Sequence, residues 1–215
     1  MAHLLRIDSS LRRDGSFSRS VADTFQNAWQ QAHPAAMVAL RDLGQDPLPY
    51  LTWDAHTARS VPEADRTPEQ QEAVARSAAL VDELLAADTI LLAVPLYNWG
   101  TPAPVKTWLD YGFSDPRTRD PEGLLRGRQA VLVNARGGSY QPGTPREGWD
   151  HAEPYLRRVL GDVLGLDLHV ITPELTLAEV NPALAQFIDR HRVSLAEAHG
   201  TAATAGRELV GQLAA

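Results

Sequence analysis

The sequence contains no cysteine. This absence excludes disulfide bonds, thiolate nucleophiles and cysteine metal sites, and it is typical of proteins in a reducing compartment. No apolar run approaches the ~20 residues of a membrane-spanning helix, and the apolar stretch within Met1–Asp8 is too short for a signal peptide. We therefore expect a cytoplasmic protein that does not enter a membrane.

Positive charge is also scarce. Lys and Arg together number 20 against 27 Asp and Glu, which gives a net charge of −7. This balance argues against general nucleic-acid binding, so any phosphate must be held by local geometry. Both the G-x-G-x-x-G dinucleotide motif and the G-K-[ST] of a P-loop are missing. There is no H-E-x-x-H or similar metal-ligand spacing, and the seven His are scattered.

Alternating apolar segments predict a doubly wound α/β fold that forms one domain over residues 1–215. Hydrophobic residues make up 44% of the chain and charged residues 22%, as in ordinary globular proteins. Five short apolar runs are typical of buried strands, and the segments between them have apolar residues at helical spacing. This alternation predicts a five-stranded parallel sheet with helices on both faces. The predicted strands are Leu4–Ile7, Met37–Leu40, Ile90–Val94, Ala130–Val133 and Leu168–Ile171. Arg6 fits a fully buried strand poorly.

Four apolar stripes predict helices, and their starting residues are marked. Thr67-Pro68-Glu69-Gln70 is a capping box, and Thr101-Pro102 and Asn181-Pro182 repeat the pattern of a cap followed by proline. Three long connections, 44–66, 112–127 and 136–150, are expected to be functional loops. The stripes are Val21, Phe25, Ala28 and Ala32; Val74, Ala78, Val81 and Leu85; Leu156, Val159, Leu160, Val163 and Leu164; and Leu184, Phe187, Ile188 and Leu195.

A serine-rich loop follows the first strand and leads into a helix. Ser10, Ser16 and Ser18 offer hydroxyl groups there, and Gly15 allows the backbone to approach a ligand closely. Free amides and the helix dipole favour an anion at a helix N-terminus, so this loop is a candidate site for a phosphate monoester. The alternative is that Ser16 or Ser18 only caps the helix.

Two further strand ends carry candidate ligand-binding residues. Pro95-Leu96-Tyr97-Asn98-Trp99 follows the third strand, and Asn134-Ala135-Arg136-Gly137-Gly138 follows the fourth. In a doubly wound sheet these ends lie near the end of the first strand, where ligands bind. Aromatic faces and loop amides suit a planar ring, which we interpret as a flavin. Taken separately, the aromatic residues can plug the sheet edge and the glycine pair can form a plain turn.

These motifs together resemble the FMN-dependent NADH-azoreductases, a flavodoxin-like family of quinone and azo reductases. The similarity extends from Leu4 to about Val170 and includes Arg41-Asp42-Leu43 and Pro121-Glu122-Gly123-Leu124. It implies a flavodoxin-like fold, noncovalent FMN, NADH or NADPH as electron donor, a homodimer and ping-pong hydride transfer. It places Ser10, Ser16, Phe17 and Ser18 at the phosphate; Leu96, Tyr97, Asn98 and Trp99 at the isoalloxazine; and Ala135, Arg136, Gly137 and Gly138 at its far edge.

The sequence departs from the family in the loops on the substrate side. Trp99 stands where phenylalanine is usual, the segment after Asp110 is shorter, and the segment after Gly138 is longer. We therefore expect FMN and a quinone or azo substrate, and a different substrate in a specialised pathway is an open alternative. The candidate substrate residues are Tyr140, Trp53, Tyr111 and Trp149; no side chain is expected to act as a nucleophile or base.

Three other functions are compatible with parts of the sequence. A flavodoxin-type electron carrier would bind FMN without turning over a small substrate, and a binding module would have lost the flavin. A hydrolase is disfavoured because Gly137-Gly138-Ser139-Tyr140-Gln141 lacks the closing glycine of G-x-S-x-G.

Overall fold

The fold is built on a five-stranded parallel sheet in the order β2-β1-β3-β4-β5. A computed structural model describes residues 1–119 and 123–209. Residues 120–122, which include part of the predicted Pro121-Glu122-Gly123-Leu124 motif, lie outside the described residues. The strands are β1 (His3–Asp8), β2 (Met37–Asp42), β3 (Thr89–Ala93), β4 (Gln129–Val133) and β5 (Asp167–Ile171). The predicted flavodoxin-like strand order and all five strands are confirmed.

Helices cover both faces of the sheet. They are α1 (Phe17–Ala32), α2 (Trp53–Thr57), α3 (Pro68–Ala86), α4 (Ala103–Ser114), α5 (Glu153–Leu156) and α6 (Ile188–Glu208). A π-helical segment, Arg157–Val163, continues α5, and short 3-10 turns occupy Ala58–Ser60, Glu63–Asp65, Pro116–Arg119 and Pro182–Phe187. None of the helices in the described ranges is long and apolar enough to cross a membrane.

Strand alternation divides the core into two layers. Leu5, Ile90 and Leu132 face α3, α4 and α5, whereas Leu91 and Val131 face α1 and α6. Every residue of β3 and β4 is buried. These continuous apolar runs are what a parallel sheet with both faces covered requires.

Arg6 is buried in β1 on the face that packs against α1. Its guanidinium donates to Asp8 at 2.9 Å and to Asp23 of α1 at 2.6 Å. The strand therefore continues through Arg6 to Asp8, because the charge is paired with carboxylates on both sides. This pairing explains how a charged residue such as Arg6 can lie in a buried strand.

Some helix predictions need correction. Thr67 forms the predicted capping box, but Pro102, not Thr101, precedes the first residue of α4. The predicted α3 stripe is rotated, because its buried face is Ala73, Ser77, Leu80, Val81 and Leu84. Val163 is 54% exposed because the π-helical segment widens the turn and carries it off the buried face.

The C-terminal helix packs on α1 through small residues. Ala198, Ala202 and Gly206 are buried against α1. These small side chains, and not the larger ones of the stripe predicted between Leu184 and Leu195, are the buried residues of this contact. A Cβ at Gly206 would lie 2.6 Å from the Phe25 carbonyl oxygen and 2.9 Å from the Ala28 Cβ. The close approach of α1 and α6 therefore depends on the absence of a side chain at this position.

Gly206→Ala is expected to destabilise the protein by about 1–3 kcal/mol, because the added methyl group would force two backbones apart. Gly200→Ala is the matched control in the same helix, since a Cβ there meets nothing within 4 Å. It should stabilise the fold by about 0.5–1 kcal/mol through helix propensity. Urea unfolding of the ligand-free proteins measures both. Equal stabilisation by the two substitutions would contradict the packing described for α6.

Candidate functional site

The loop after β1 brings three serine hydroxyls to the N-terminus of α1. Ser10, Ser16 and Ser18 are all buried, and the Ser16 and Ser18 hydroxyl oxygens lie 3.3 Å apart. Ser16 caps α1 by accepting the Arg19 backbone N–H at 3.5 Å. Gly15 has a φ of 68°, a left-handed conformation that glycine adopts readily. The result is a polar pocket at the positive end of a 16-residue helix, which favours an anion.

A tight turn follows β3 at the next strand end. The backbone N–H of Tyr97 donates to the Gly100 carbonyl at 3.2 Å, and Gly100 N–H donates back to Tyr97 at 3.0 Å. The two central residues, Asn98 and Trp99, have φ values of 48° and 64°. This is the pattern of a type I′ turn, in which the second central position favours glycine. Placing tryptophan there costs roughly 1–2 kcal/mol.

Neighbouring backbone groups hold this turn in place. Leu96 N–H donates to the Ala135 carbonyl at 2.8 Å, and His151 N–H donates to the Trp99 carbonyl at 2.9 Å. The strained conformation is therefore fixed from the β4 side of the sheet, as expected where strain is kept at a ligand site.

Tyr97 connects the turn to the serine loop. Its phenol oxygen accepts the Leu11 backbone N–H at 3.2 Å and lies 3.4 Å from the Ser10 hydroxyl. One side chain therefore links the loop after β1 to the loop after β3, across the point where the strand order reverses.

The third wall comes from the segments after β4 and β5, which run side by side. Leu177 N–H donates to the Gly137 carbonyl at 3.2 Å, and Thr176 N–H donates to the Arg136 carbonyl at 3.0 Å. A Cβ at Gly137 would come within 2.7 Å of Leu177, so glycine is what allows these segments to touch. The segment after β5 was not predicted to belong to the site, whereas Ala135 to Gly138 after β4 was. The position of β5 in the same parallel sheet was the available signal, since its carboxyl end meets the same edge.

These walls enclose a cleft of about 550 Å³, a volume within the range of about 300–1,000 Å³ typical of small-molecule sites. Nine of the twelve predicted cofactor residues line it: Ser10, Ser16, Phe17, Ser18, Leu96, Tyr97, Asn98, Ala135 and Gly137. Seven further residues complete the lining: Gly15 and Pro95, which belong to the motifs singled out in the sequence, and Leu11, Arg12, Thr176, Leu177 and Val180, which were not predicted.

Arg136 has a different position from the one expected of a ring-binding side chain. Its guanidinium is buried and pairs with Asp150 at 2.6 Å, Glu153 at 2.5 Å and Glu174 at 3.0 Å. Asp150 and Glu153 lie together at the start of α5 and Glu174 follows β5, so Arg136 ties together the segments that follow β4 and β5. Only its backbone neighbours, Ala135 and Gly137, reach the cleft.

The remaining predicted residues lie outside the lining. Trp99 is 43% exposed, and its ring meets that of Trp149 edge to face, with 5.8 Å between centroids. Tyr140 lies beside both Gly138 and Arg136. Trp53 is 76% exposed on α2, a separate short helix. Tyr111 is 2% exposed in the core between α3 and α4, where its carbonyl accepts the Ser77 hydroxyl, so the structure does not bring it to the cleft.

The cleft lining is almost uncharged. Among the described residues, Arg12 is the one positively charged side chain in the lining, and the Arg12 Nη1 donates to the Gly15 carbonyl at 3.3 Å. No carboxylate or imidazole belongs to the lining formed by the described residues. In residues 1–119 and 123–209 as a whole, no group of three or more acidic or histidine side chains could hold a metal ion. The arrangement suits binding and orientation of a planar anionic ligand rather than proton transfer by a side chain.

Comparisons with known proteins agree with this geometry. Residues 2–194 match the family described as having a flavodoxin-like fold. The chain is 44% identical to the FMN-dependent NADH:quinone oxidoreductase of Frankia casuarinae, over 94% of this chain and 97% of that protein. It is also 44% identical to the enzyme of the same description from Streptomyces avermitilis, over 100% of both. Among solved structures, the azoreductase from Bacillus anthracis str. Sterne gives a TM-score of 0.81 at 26% identity, covering 97% of this chain and 100% of that one.

Arg136→Met is expected to destabilise the fold by about 3–5 kcal/mol, because Asp150 and Glu174 would then lie largely buried without a cation. The matched control is Arg157→Met, since Arg157 also pairs with Glu153, at 2.8 Å, but is half exposed. Its removal should cost less than about 0.5 kcal/mol. Urea unfolding at neutral pH compares them. Similar losses in both variants would show that burial does not set the importance of Arg136.

Proposed function

The chain belongs to the family of FMN-dependent NADH:quinone oxidoreductases with a flavodoxin-like fold, and from that premise we propose that it binds FMN and passes hydride from NADH to a quinone or azo acceptor. The observation that carries this proposal is the shape of one cleft. Buried serine hydroxyls at a helix N-terminus form one end of it, and the Tyr97–Gly100 turn forms the other.

The residues present fit FMN at both ends. Ser10, Ser16 and Ser18 offer hydroxyl donors to a phosphate monoester, and the free amides of the first turn of α1 point to the same place. Leu96, Asn98 and Gly137 line the other end, where loop backbone would meet the edge of a flat ring. Both ends belong to one continuous cleft, which is what a phosphate joined to a planar ring system requires.

FMN supplies the redox chemistry when bound, because its ring accepts and returns two electrons as hydride. The contribution of the chain is to bind the phosphate, hold the ring by backbone groups and limit access of water. The near absence of charge in the lining is consistent with this role, since no side chain there is placed to remove a proton.

The substrate side of the proposal rests on the aromatic residues next to the cleft. Trp99, Trp149 and Tyr140 are the candidates to contact the nicotinamide and then the acceptor. Leu11, Leu177 and Val180 line the cleft with exposed apolar side chains, and such a patch is typical of an interface. We therefore propose a homodimer with the flavin near the contact, and a ping-pong reaction in which nicotinamide leaves before the acceptor binds.

The turnover test begins with purified protein loaded with FMN. Under anaerobic conditions NADH should bleach the visible flavin absorbance, and added menadione should restore it. Steady-state rates at several fixed menadione concentrations should give parallel double-reciprocal lines, as a ping-pong order requires. A protein that binds FMN but shows no NADH-dependent turnover with menadione would instead be an electron carrier of the flavodoxin type. A protein that takes up no FMN would overturn the proposal.

The phosphate assignment is tested with Ser16→Ala and Ser18→Ala. Each change removes one hydroxyl donor to a charged phosphate, so FMN affinity should fall about tenfold per substitution. Affinity for riboflavin, which lacks the phosphate, should change little. Ser20→Ala is the control, because Ser20 lies one turn along α1 and is exposed. Flavin fluorescence quenching gives both affinities, and unchanged FMN binding in both site variants would contradict the assignment.

A further inference from the structure

We propose that Arg19 is a positioning residue for the phosphate site: it holds the Ser9–Ser18 loop in its binding conformation and is not itself a ligand of the phosphate. This inference rests on the proposed function, because it concerns the phosphate end of the same cleft. Besides Arg12, which lines the cleft, Arg19 is a second cation that could be assigned to an anion there, since it lies in the first turn of α1, three residues after Ser16.

The contacts of Arg19 show that its charge is already used. Nη1 lies 2.8 Å from an Asp8 carboxylate oxygen and 2.7 Å from Asp42, and Nη2 lies 2.7 Å from the other Asp42 oxygen. The side chain is only 12% exposed. A guanidinium held by two carboxylates in a buried site is not free to turn towards a ligand.

The remaining contact of the guanidinium is with the loop itself. Nη2 donates to the Ser10 carbonyl at 2.8 Å. Ser10 is one of the three serines whose hydroxyls line the cleft, so this bond fixes the backbone that carries a proposed phosphate donor. A fork-shaped guanidinium can make all of these bonds together, whereas a lysine ammonium cannot match that geometry.

The end of β2 supports the loop from the same side. A Cβ at Gly44 would overlap the Ser10 carbonyl group, so the two backbones are in direct contact. The Gln45 side-chain amide donates to the Leu11 carbonyl at 3.3 Å. Two successive loop carbonyls are therefore anchored, one by Arg19 and one by Gln45.

The net charge below the loop also favours a positional role. Arg6 and Arg19 face Asp8, Asp23 and Asp42, which is two positive charges against three negative ones. Burial would raise the pKa of Asp42, but the Arg19 hydrogen bond and charge, with the Gln45 and Gly44 amides, outweigh it and lower that pKa. The carboxylate therefore remains charged at neutral pH. Such a cluster gives no net attraction to a phosphate, so its effect on binding must come through the position of the loop.

Asp42→Asn gives opposite results for the two roles of Arg19. If Arg19 were a phosphate ligand, weakening its hold on Asp42 would free its charge and raise FMN affinity. If Arg19 positions the loop, the same change should lower FMN affinity, by about fivefold to tenfold, the effect of weakening one hydrogen bond to a charged group. Asparagine keeps an oxygen for the Gly44 and Gln45 amides, which now bond to Asp42 Oδ1.

Arg19→Lys and Arg19→Met complete the test. The positioning role predicts that lysine rescues little, so both variants should bind FMN about tenfold more weakly than the unmodified protein. Riboflavin affinity should stay within about twofold, which also reports that the cleft has folded. Amide hydrogen exchange at Ser10 and Leu11 should be faster in both variants before any flavin is added. Arg41→Gln is the control, because Arg41 pairs with Glu83 from the same strand end and does not touch the loop.

A rise in FMN affinity in Asp42→Asn, or full retention in Arg19→Lys, would overturn the inference. If Arg19→Met does not fold, the Asp42→Asn result decides. Failure of the unmodified protein to bind FMN is a different outcome, which would overturn the proposed function itself.

Discussion

The cleft depends on the parallel pairing of β1, β3 and β4. Register places Asp8 beside Ala93 and Ala93 beside Val133, so three strands end at the same level. The segments that leave them have to emerge side by side at one edge, because each strand is followed by a crossover to the opposite end of the sheet. Shifting any of these strands by one residue would exchange the side chains that it presents to the two helical layers and would also separate the loops. Hydrophobic burial along the strands therefore determines where the polar groups that line the cleft meet.

Much of this arrangement could be predicted from the sequence, because the signals were local. The strands are short apolar runs, Thr67 begins a capping box, and the serine loop and the Tyr97 turn directly follow predicted strands. The parts that could not be predicted depend on tertiary contacts. Leu177 lines the cleft because its segment lies beside Gly137, some 40 positions earlier in the chain. The family resemblance places Arg136 at the ring edge, but its guanidinium is held by three carboxylates that lie between 14 and 38 positions away in the chain.

Two buried arginine clusters support the site from opposite sides. Arg19 joins the ends of β1 and β2 to the serine loop, and Arg136 joins the segments after β4 and β5. In each cluster the carboxylates outnumber the guanidinium groups, so the charge remains within the scaffold. Apart from Arg12, the cleft between them is lined by hydroxyls, backbone and uncharged side chains. This division separates the groups that hold the loops from those that would touch a ligand.

The composition of the cleft lining has a chemical consequence for the acceptor we propose. Quinones are electrophiles, and they alkylate thiols and primary amines by conjugate addition. The lining offers neither kind of group, and the whole chain contains no cysteine and a single lysine, Lys106, which is paired with Asp110 on α4. Apart from Lys106 and the histidines, every basic side chain of the protein is an arginine. Guanidinium groups stay protonated and are poor nucleophiles. A protein built in this way can hold a reactive quinone repeatedly with little risk of being covalently inactivated by it.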